Sequence, residues 1–360
     1  MGILTGKRLL ITGGTGSMGR VLVRRLLTGE MGEPEKIIVF SRDEGKQHAM
    51  RLAYMHQGPA TDEVIYNNFR QRIEFRVGNV SNYVDIANVI TDVDVVIHAA
   101  ALKQVPTCEY FPHQALLTNC EGAVNVVNAI KQLKAPVELL VGISTDKACK
   151  PVNVMGMTKA IQERIFTSSN ISLPNTRSLC VRYGNVIASR GSVIPLFIEQ
   201  IRQGSAITIT HPKMTRFLMS IDEAVDTVFA AIRHGEPGDT LIPIAPSSTV
   251  FNIAKALIGE RSIPIKDIGV RPGEKMHEIL ISEEEIHHLR RIDNYYVINP
   301  MLPELKRQTT APSKLLKREF SSEDYVLTLD ETRALLQRHG ILSSEGHIHS
   351  SPSQEDALIV

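Results

Sequence analysis

The first 185 residues alternate short runs of Val, Ile and Leu with longer stretches in which apolar and polar positions recur at helical spacing. Strands are predicted at 8–12, 36–40, 73–77, 93–99, 138–144 and 178–183, and a helix at 18–29. The strand segments are nearly continuous apolar runs, as in Val95-Val96-Ile97, rather than alternating ones. Such runs belong to a parallel sheet covered by helices on both faces. The predicted fold class is α/β, a Rossmann-like doubly wound parallel sheet, which binds ligands beyond the carboxyl ends of its strands. After about residue 185 the alternation weakens. Residues 211–221 are basic and irregular, and Arg271, Pro272, Gly273, Glu274 and Lys275 form a charged turn. The expected division is a first domain of 1–185 plus about 219–249, interleaved with a smaller substrate domain of about 186–218 plus 250–342. The Ser-, His- and Pro-rich tail 343–360 is expected to be disordered.

The first strand ends in Thr12-Gly13-Gly14-Thr15-Gly16-Ser17-Met18-Gly19. Glycines three apart between a strand and a helix let backbone N–H groups approach a diphosphate at the positive end of the helix. Gly13, Thr15, Gly16, Ser17, Met18 and Gly19 are therefore the expected dinucleotide contacts. The second strand ends in Ser41 and Arg42, with Lys46 close behind. A hydroxyl and cations suit a 2′-phosphate, so NADP is expected over NAD, with Asp43 keeping NAD as the alternative. Asn79-Val80 follows the third strand, as an adenine contact or a plain turn. Small residues from Ala99 to Ala101 leave room for a ribose and nicotinamide beside Lys103. Asn119 and Val186 complete the expected cofactor set.

Composition bounds the rest. At 360 residues the chain has about two domains' worth of length. It is 43% apolar and 22% charged, ordinary for a globular protein. Lys plus Arg number 40 and Asp plus Glu 39, so a globally basic nucleic-acid binder and an acidic disordered chain are both disfavoured. Cys108, Cys120, Cys149 and Cys180 form no metal or redox spacing and read as reduced thiols. No apolar run approaches a membrane span, and no signal-peptide core follows the N-terminus. The expectation is a cytoplasmic protein without metal, nucleic acid or membrane insertion.

The fifth strand ends in Ser144-Thr145-Asp146-Lys147, and Met155 and Lys159 follow at helical i, i+4 spacing. This resembles the short-chain dehydrogenase/reductase superfamily, whose Tyr-x-x-x-Lys signature lies beside the nicotinamide. Lys159 matches the lysine, which the resemblance implies would hold the nicotinamide ribose; Met155 stands where the tyrosine belongs and cannot act as a base. The motifs His98 to Pro106, Ser144 to Ala148, Arg182 to Val186, Ser189 to Pro195, Met214 to Phe217 and Arg271 to Lys275 follow in order. Together they resemble the polysaccharide-biosynthesis group of extended short-chain dehydrogenases over roughly residues 5–300. That group includes UDP-N-acetylglucosamine 4,6-dehydratases, and a subset of it also carries methionine at the tyrosine position. Gln104, Asn79 and Ala188 depart from its usual His, Asp and Gly.

The resemblance implies NADP-dependent 4,6-dehydration of a UDP-N-acetylhexosamine in surface polysaccharide or glycan biosynthesis. Lys147 would take the C5 proton and Asp146 would protonate the leaving C6 hydroxyl, with Thr145 on the C4 oxygen. Lysine works as a base only with a lowered pKa, which burial or neighbouring Lys159 and Lys103 would supply. The C4 hydroxyl proton would pass through Thr145, Asp146 or a water. Lys103, Asn185, Arg190, Val193, Arg216 and Arg271 are the expected contacts of the UDP-sugar, with Arg216 equally readable as a brace between domains. A homo-oligomer is the family-level expectation. The alternatives are a UDP-sugar 4-epimerase and a non-catalytic NADP-binding sensor.

Overall fold

Residues 8–12 place Leu9 and Ile11 in one apolar cluster and Leu10 in another, because successive strand side chains point to opposite faces. The same split recurs along each central strand, which is why these strands read as continuous apolar runs. The chain is described here by a computed structural model that covers residues 2–55, 68–187, 192–306, 315–343 and 348. In chain order the strands are β1 Arg8–Thr12, β2 Lys36–Ser41, β3 Ile73–Val77, β4 Val95–His98, β5 Leu139–Thr145, β6 Arg177–Tyr183, β7 Asn185–Val186 and β8 Ile207–Ile209. They continue with β9 Thr215–Met219, β10 Thr240–Pro243, β11 Ser247–Thr249, β12 Ile265–Asp267, β13 Ile279–Ile281, β14 Leu289–Ile292, β15 Tyr295–Ile298 and β16 Phe320–Ser321.

The main sheet has the order β14-β15-β10-β6-β5-β4-β1-β2-β3. From β3 to β10 every pairing is parallel; β15 and β14 then extend the far edge antiparallel. This is the doubly wound α/β fold expected. Helices Ser17–Leu27 and Ile221–His234 pack on one face. Helices Tyr83–Ile90 and Gly122–Leu133 cover the other, with Phe166 from helix Val154–Ser172. A third apolar cluster joins helices Val193–Arg202, Val250–Ile258 and Leu329–Arg338 into a second lobe.

One segment departs from the expected division. Residues 289–298, assigned to the substrate domain, supply β14 and β15 of the main sheet, because Leu241 and Val297 pair across β10 and β15 in one core. Apart from residues 343 and 348, the tail expected to be disordered lies outside the described residues. No described helix is long and apolar enough to cross a membrane.

Candidate active site

The turn after β1 demands glycine. Gly13 has φ +69°, and a Cβ there would lie 2.7 Å from the Ala100 nitrogen. The loops after β1 and β4 therefore touch, at the point where connections leave for opposite faces of the sheet. A Cβ on Gly19 would lie 2.6 Å from Gly14, so the helix start closes onto the strand end only without a side chain. Helix Ser17–Leu27 begins at Gly16 with no side-chain cap and no acidic residue in its first turn. Its leading N–H groups and positive end meet no competing carboxylate there, which fits a diphosphate. Thr15 is buried, and Met18 and Ala99 pack against the first core.

The end of β2 is more engaged than its sequence implies. Ser41 Oγ accepts from Gln47 Nε2 at 3.0 Å, and Lys46 Nζ pairs with Asp43 at 2.6 Å. Lys46 and Asp43 thus neutralise each other, leaving exposed Arg42 with no ion pair among the described residues. Asn79 takes the turn reading: its side-chain oxygen accepts from Ser81 N at 3.1 Å. Val80 is buried beneath Gly122, where an added Cβ would meet it at 2.9 Å. Asn119 is fully buried. It donates to Leu102 O (3.0 Å) and Thr158 Oγ1 (2.9 Å) and accepts from Leu102 N (2.8 Å). Val80 and Asn119, both expected at the cofactor, have side chains engaged within the protein. Val186 also packs against the first core, and Lys103 is exposed.

At the carboxyl end of β5, Thr145 pairs in register with Tyr183 of β6, so β7 begins just beyond the same sheet edge. Asp146 is fully buried. Its Oδ1 accepts from Thr145 Oγ1 at 2.8 Å and from Lys147 Nζ at 3.1 Å, while its Oδ2 has no partner among the described residues. Lys147 Nζ also lies 3.5 Å from Glu278, which the sequence reading did not include. Burial opposes the charge on Lys147, but the Asp146 and Glu278 carboxylates outweigh it and hold the pKa above the ordinary lysine value. This corrects the expectation of a lowered pKa at Lys147. The lysine so lowered is Lys159, to about 8, by burial. Its Nζ donates to Ile143 O and, at 2.7 Å, to Gln162 Oε1.

Helix Val154–Ser172 reaches this turn through a second residue not anticipated. A Cβ on Gly156 would lie 2.2 Å from the Lys147 carbonyl oxygen. Asn153 caps the helix, accepting from Gly156 N at 2.8 Å, and donates to Gly273 O at 2.8 Å. The charged 271–275 turn is thereby anchored at the start of helix Val154–Ser172. Met155 is buried with Cys108 and Ala115 in an apolar cluster, so its thioether contributes packing there. His98 is fully buried, and burial drives its pKa to about 3, leaving a neutral ring beside Thr12.

Of the expected substrate residues, Arg216 on β9 is tied to Thr215 and to the 275–278 segment, all within the expected substrate domain. It donates to Thr215 O at 2.7 Å and Lys275 O at 3.1 Å, and its Nε lies 3.8 Å from Glu278. Asn185 keeps a buried oxygen without a partner among the described residues, as does Ser192 at the start of helix Val193–Arg202. Arg271 is exposed and Val193 packs at the edge of the third cluster. Arg190 lies outside the described residues. Among the described residues no group of three or more His, Cys, Asp or Glu is arranged to hold a metal.

The strand order and the glycine turn define a doubly wound, Rossmann-type α/β protein. The chain belongs to the polysaccharide biosynthesis protein family, whose model matches residues 9–300. It is 46% identical over 297 residues to a Rickettsia conorii protein named UDP-glucose 4-epimerase, covering 81% of this chain and 82% of that one. The structure of Pen from Bacillus thuringiensis superposes with a TM-score of 0.82 at 30% identity, covering 93% of this chain and 98% of Pen. DesIV from Streptomyces venezuelae, a dTDP-glucose 4,6-dehydratase with NAD and TYD bound, shares the fold at 18% identity. Its TM-score is 0.63, over 75% of this chain and 86% of DesIV.

Proposed function

We propose that this protein is an NADP-dependent 4,6-dehydratase of a UDP-N-acetylhexosamine, with UDP-N-acetylglucosamine the first candidate. The product would be the UDP-4-keto-6-deoxy sugar and water, as a step in surface polysaccharide or glycan biosynthesis. The observation that carries this reading is the part-buried Asp146–Lys147 ion pair at the carboxyl end of β5, 3.1 Å apart, in a chain with Met155 at the tyrosine position. A nicotinamide dinucleotide, when bound, would supply a reversible hydride acceptor. Gly13, Gly16 and Gly19 would hold its diphosphate and Arg42 its 2′-phosphate.

The chain's own residues handle the protons. Dehydration removes the C5 proton and returns one proton to the departing C6 hydroxyl. Moving one proton from Lys147 Nζ to Asp146 Oδ1 converts the ion pair into an amine and a carboxylic acid without changing net charge. The amine is then the base for C5 and the acid serves C6. With Asp146 already carrying the proton for C6, the C4 hydroxyl proton leaves to a water, and Thr145, held by Asp146 at 2.8 Å, would bond the C4 oxygen in place of the missing tyrosine. Asn185, Arg190, Arg271 and Lys103 would hold the UDP diphosphate, beside Val193.

The name carried by the 46% identical Rickettsia relative favours a second reading, a UDP-sugar 4-epimerase. That chemistry needs only the Thr145–Asp146 relay and gives Lys147 no proton to move. Incubation with UDP-N-acetylglucosamine and UDP-glucose, with NADP or NAD, followed by mass, separates the readings. Loss of water is expected. Unchanged mass with inverted C4 stereochemistry would establish the epimerase, and cofactor binding without turnover of any UDP-sugar would leave a sensor.

A further inference from the structure

Glu278 is the residue before β13, and both its backbone groups are clamped to Ser322: its N–H donates to Ser322 Oγ at 2.9 Å and its C=O accepts from Ser322 N at 2.8 Å. The side chain is 3% exposed. One oxygen stands 3.5 Å from Lys147 Nζ and 3.8 Å from Arg216 Nε; the other has no partner among the described residues. Burying a carboxylate is costly unless its oxygens are bonded, and a carboxylate retained for shape alone is expected to be fully bonded. Glu278 falls short of that, and its nearer partner is Lys147, the cation that also pairs with Asp146. Lys147 is thus held between a carboxylate on its own turn and one from the second lobe. Arg216 on β9 and Lys275 complete the charged groups around it.

We propose that Glu278 is the positioning carboxylate of Lys147: from the second lobe it fixes the ammonium against Asp146 and sets how readily Lys147 gives up its proton. For catalysis, this inference rests on the dehydratase reading. Removing the Glu278 charge leaves Asp146 facing Lys147 with Arg216 unopposed nearby. Lys147 then deprotonates at lower pH, and the Lys147-to-Asp146 proton transfer becomes easier.

The test is the pH dependence of Lys147 itself in the full chain without substrate. Trace acetylation at a series of pH values, with mass spectrometry of the Lys147 peptide, reports its titration midpoint. Glu278→Gln is expected to lower that midpoint by roughly one to three pH units, the usual effect of losing an opposite charge within about 4 Å. The pH profile of turnover is expected to move in the same direction. Should Glu278→Gln not fold, Glu278→Asp keeps the charge but shortens the reach, and is expected to move the midpoint part of the way. An unmoved midpoint in the folded variant overturns the proposal, whatever happens to the rate. A shifted midpoint in a protein that turns over no UDP-sugar sustains the Glu278–Lys147 coupling and removes the dehydratase reading instead.

Discussion

Two buried clusters of charge join the main sheet to the second lobe, and they are built differently. Around Arg182 on β6, Glu163 accepts from Nε at 3.0 Å and Nη2 at 2.7 Å, while Glu285 accepts from Nη1 and Nη2, each at 2.8 Å. Leu280 O takes another Nη1 proton at 2.8 Å, and Ser144 Oγ donates to Glu163. Around Lys147 the plan is the same, a cation between two carboxylates from two parts of the chain. Yet Asp146 Oδ2 and Glu278 Oε2 have no partners among the described residues. A planar guanidinium with every bond made locks a shape and cannot lose its proton. An ammonium with loosely completed partners can exchange one. The first cluster therefore locks the junction, and the second is the one to which the proposed function assigns chemistry there.

The contrast breaks most readily at Asp146. Asp146→Asn is expected to slow dehydration by roughly 10²–10⁴-fold while leaving the urea midpoint nearly unchanged. A near-normal rate would remove Asp146 from its role. Arg182→Met should behave in the opposite way. It strands two buried carboxylates and is expected to cost about 3–5 kcal/mol in urea unfolding. A loss below about 1 kcal/mol would erase the structural assignment.

The smallest of these effects is in acid. Burial raises the pKa of Glu285, but Arg182 more than reverses this and brings it from 4.5 to about 2. In that window the unfolded chain binds more protons than the folded one, so this stability is complete above about pH 5 and lost as pH falls toward 2. The gap corresponds to roughly 3 kcal/mol. Glu285→Gln is therefore expected to flatten the acid limb of stability against pH, measured by urea midpoints at several pH values. An equally steep limb in the variant would show that Arg182 is not what depresses Glu285.

What was legible in the sequence was local. The apolar runs revealed the sheet, because the central strands β1, β2, β4, β5 and β6 bury both faces. The glycine turn and the Asp146–Lys147 pair stood out because their residues are neighbours in the chain. Charge states were less legible. Lys147 was expected to be lowered and is instead raised, because Glu278, 131 positions away, faces it, whereas Lys159 has no carboxylate bonded to it among the described residues. Asn119 and Lys46 looked like ligand contacts by position, but Leu102, Thr158 and Asp43 use their polar groups. Gly156, next to Met155, carried a signal that went unused: a glycine within a helix has a packing reason, and here it is the Lys147 carbonyl.

The path of the chain between the lobes bears on how such proteins diversify. β6 of the main sheet leads to β7 in the second lobe, β9 leads back to helix Ile221–His234, and β10 leads out again to β11. β14 and β15 then close the edge of the main sheet before β16 returns to β13. A single recombination event cannot exchange the second lobe as a module. New sugar specificity in this architecture must accumulate by point substitutions in place, each made against charges such as Glu278 that the two lobes share.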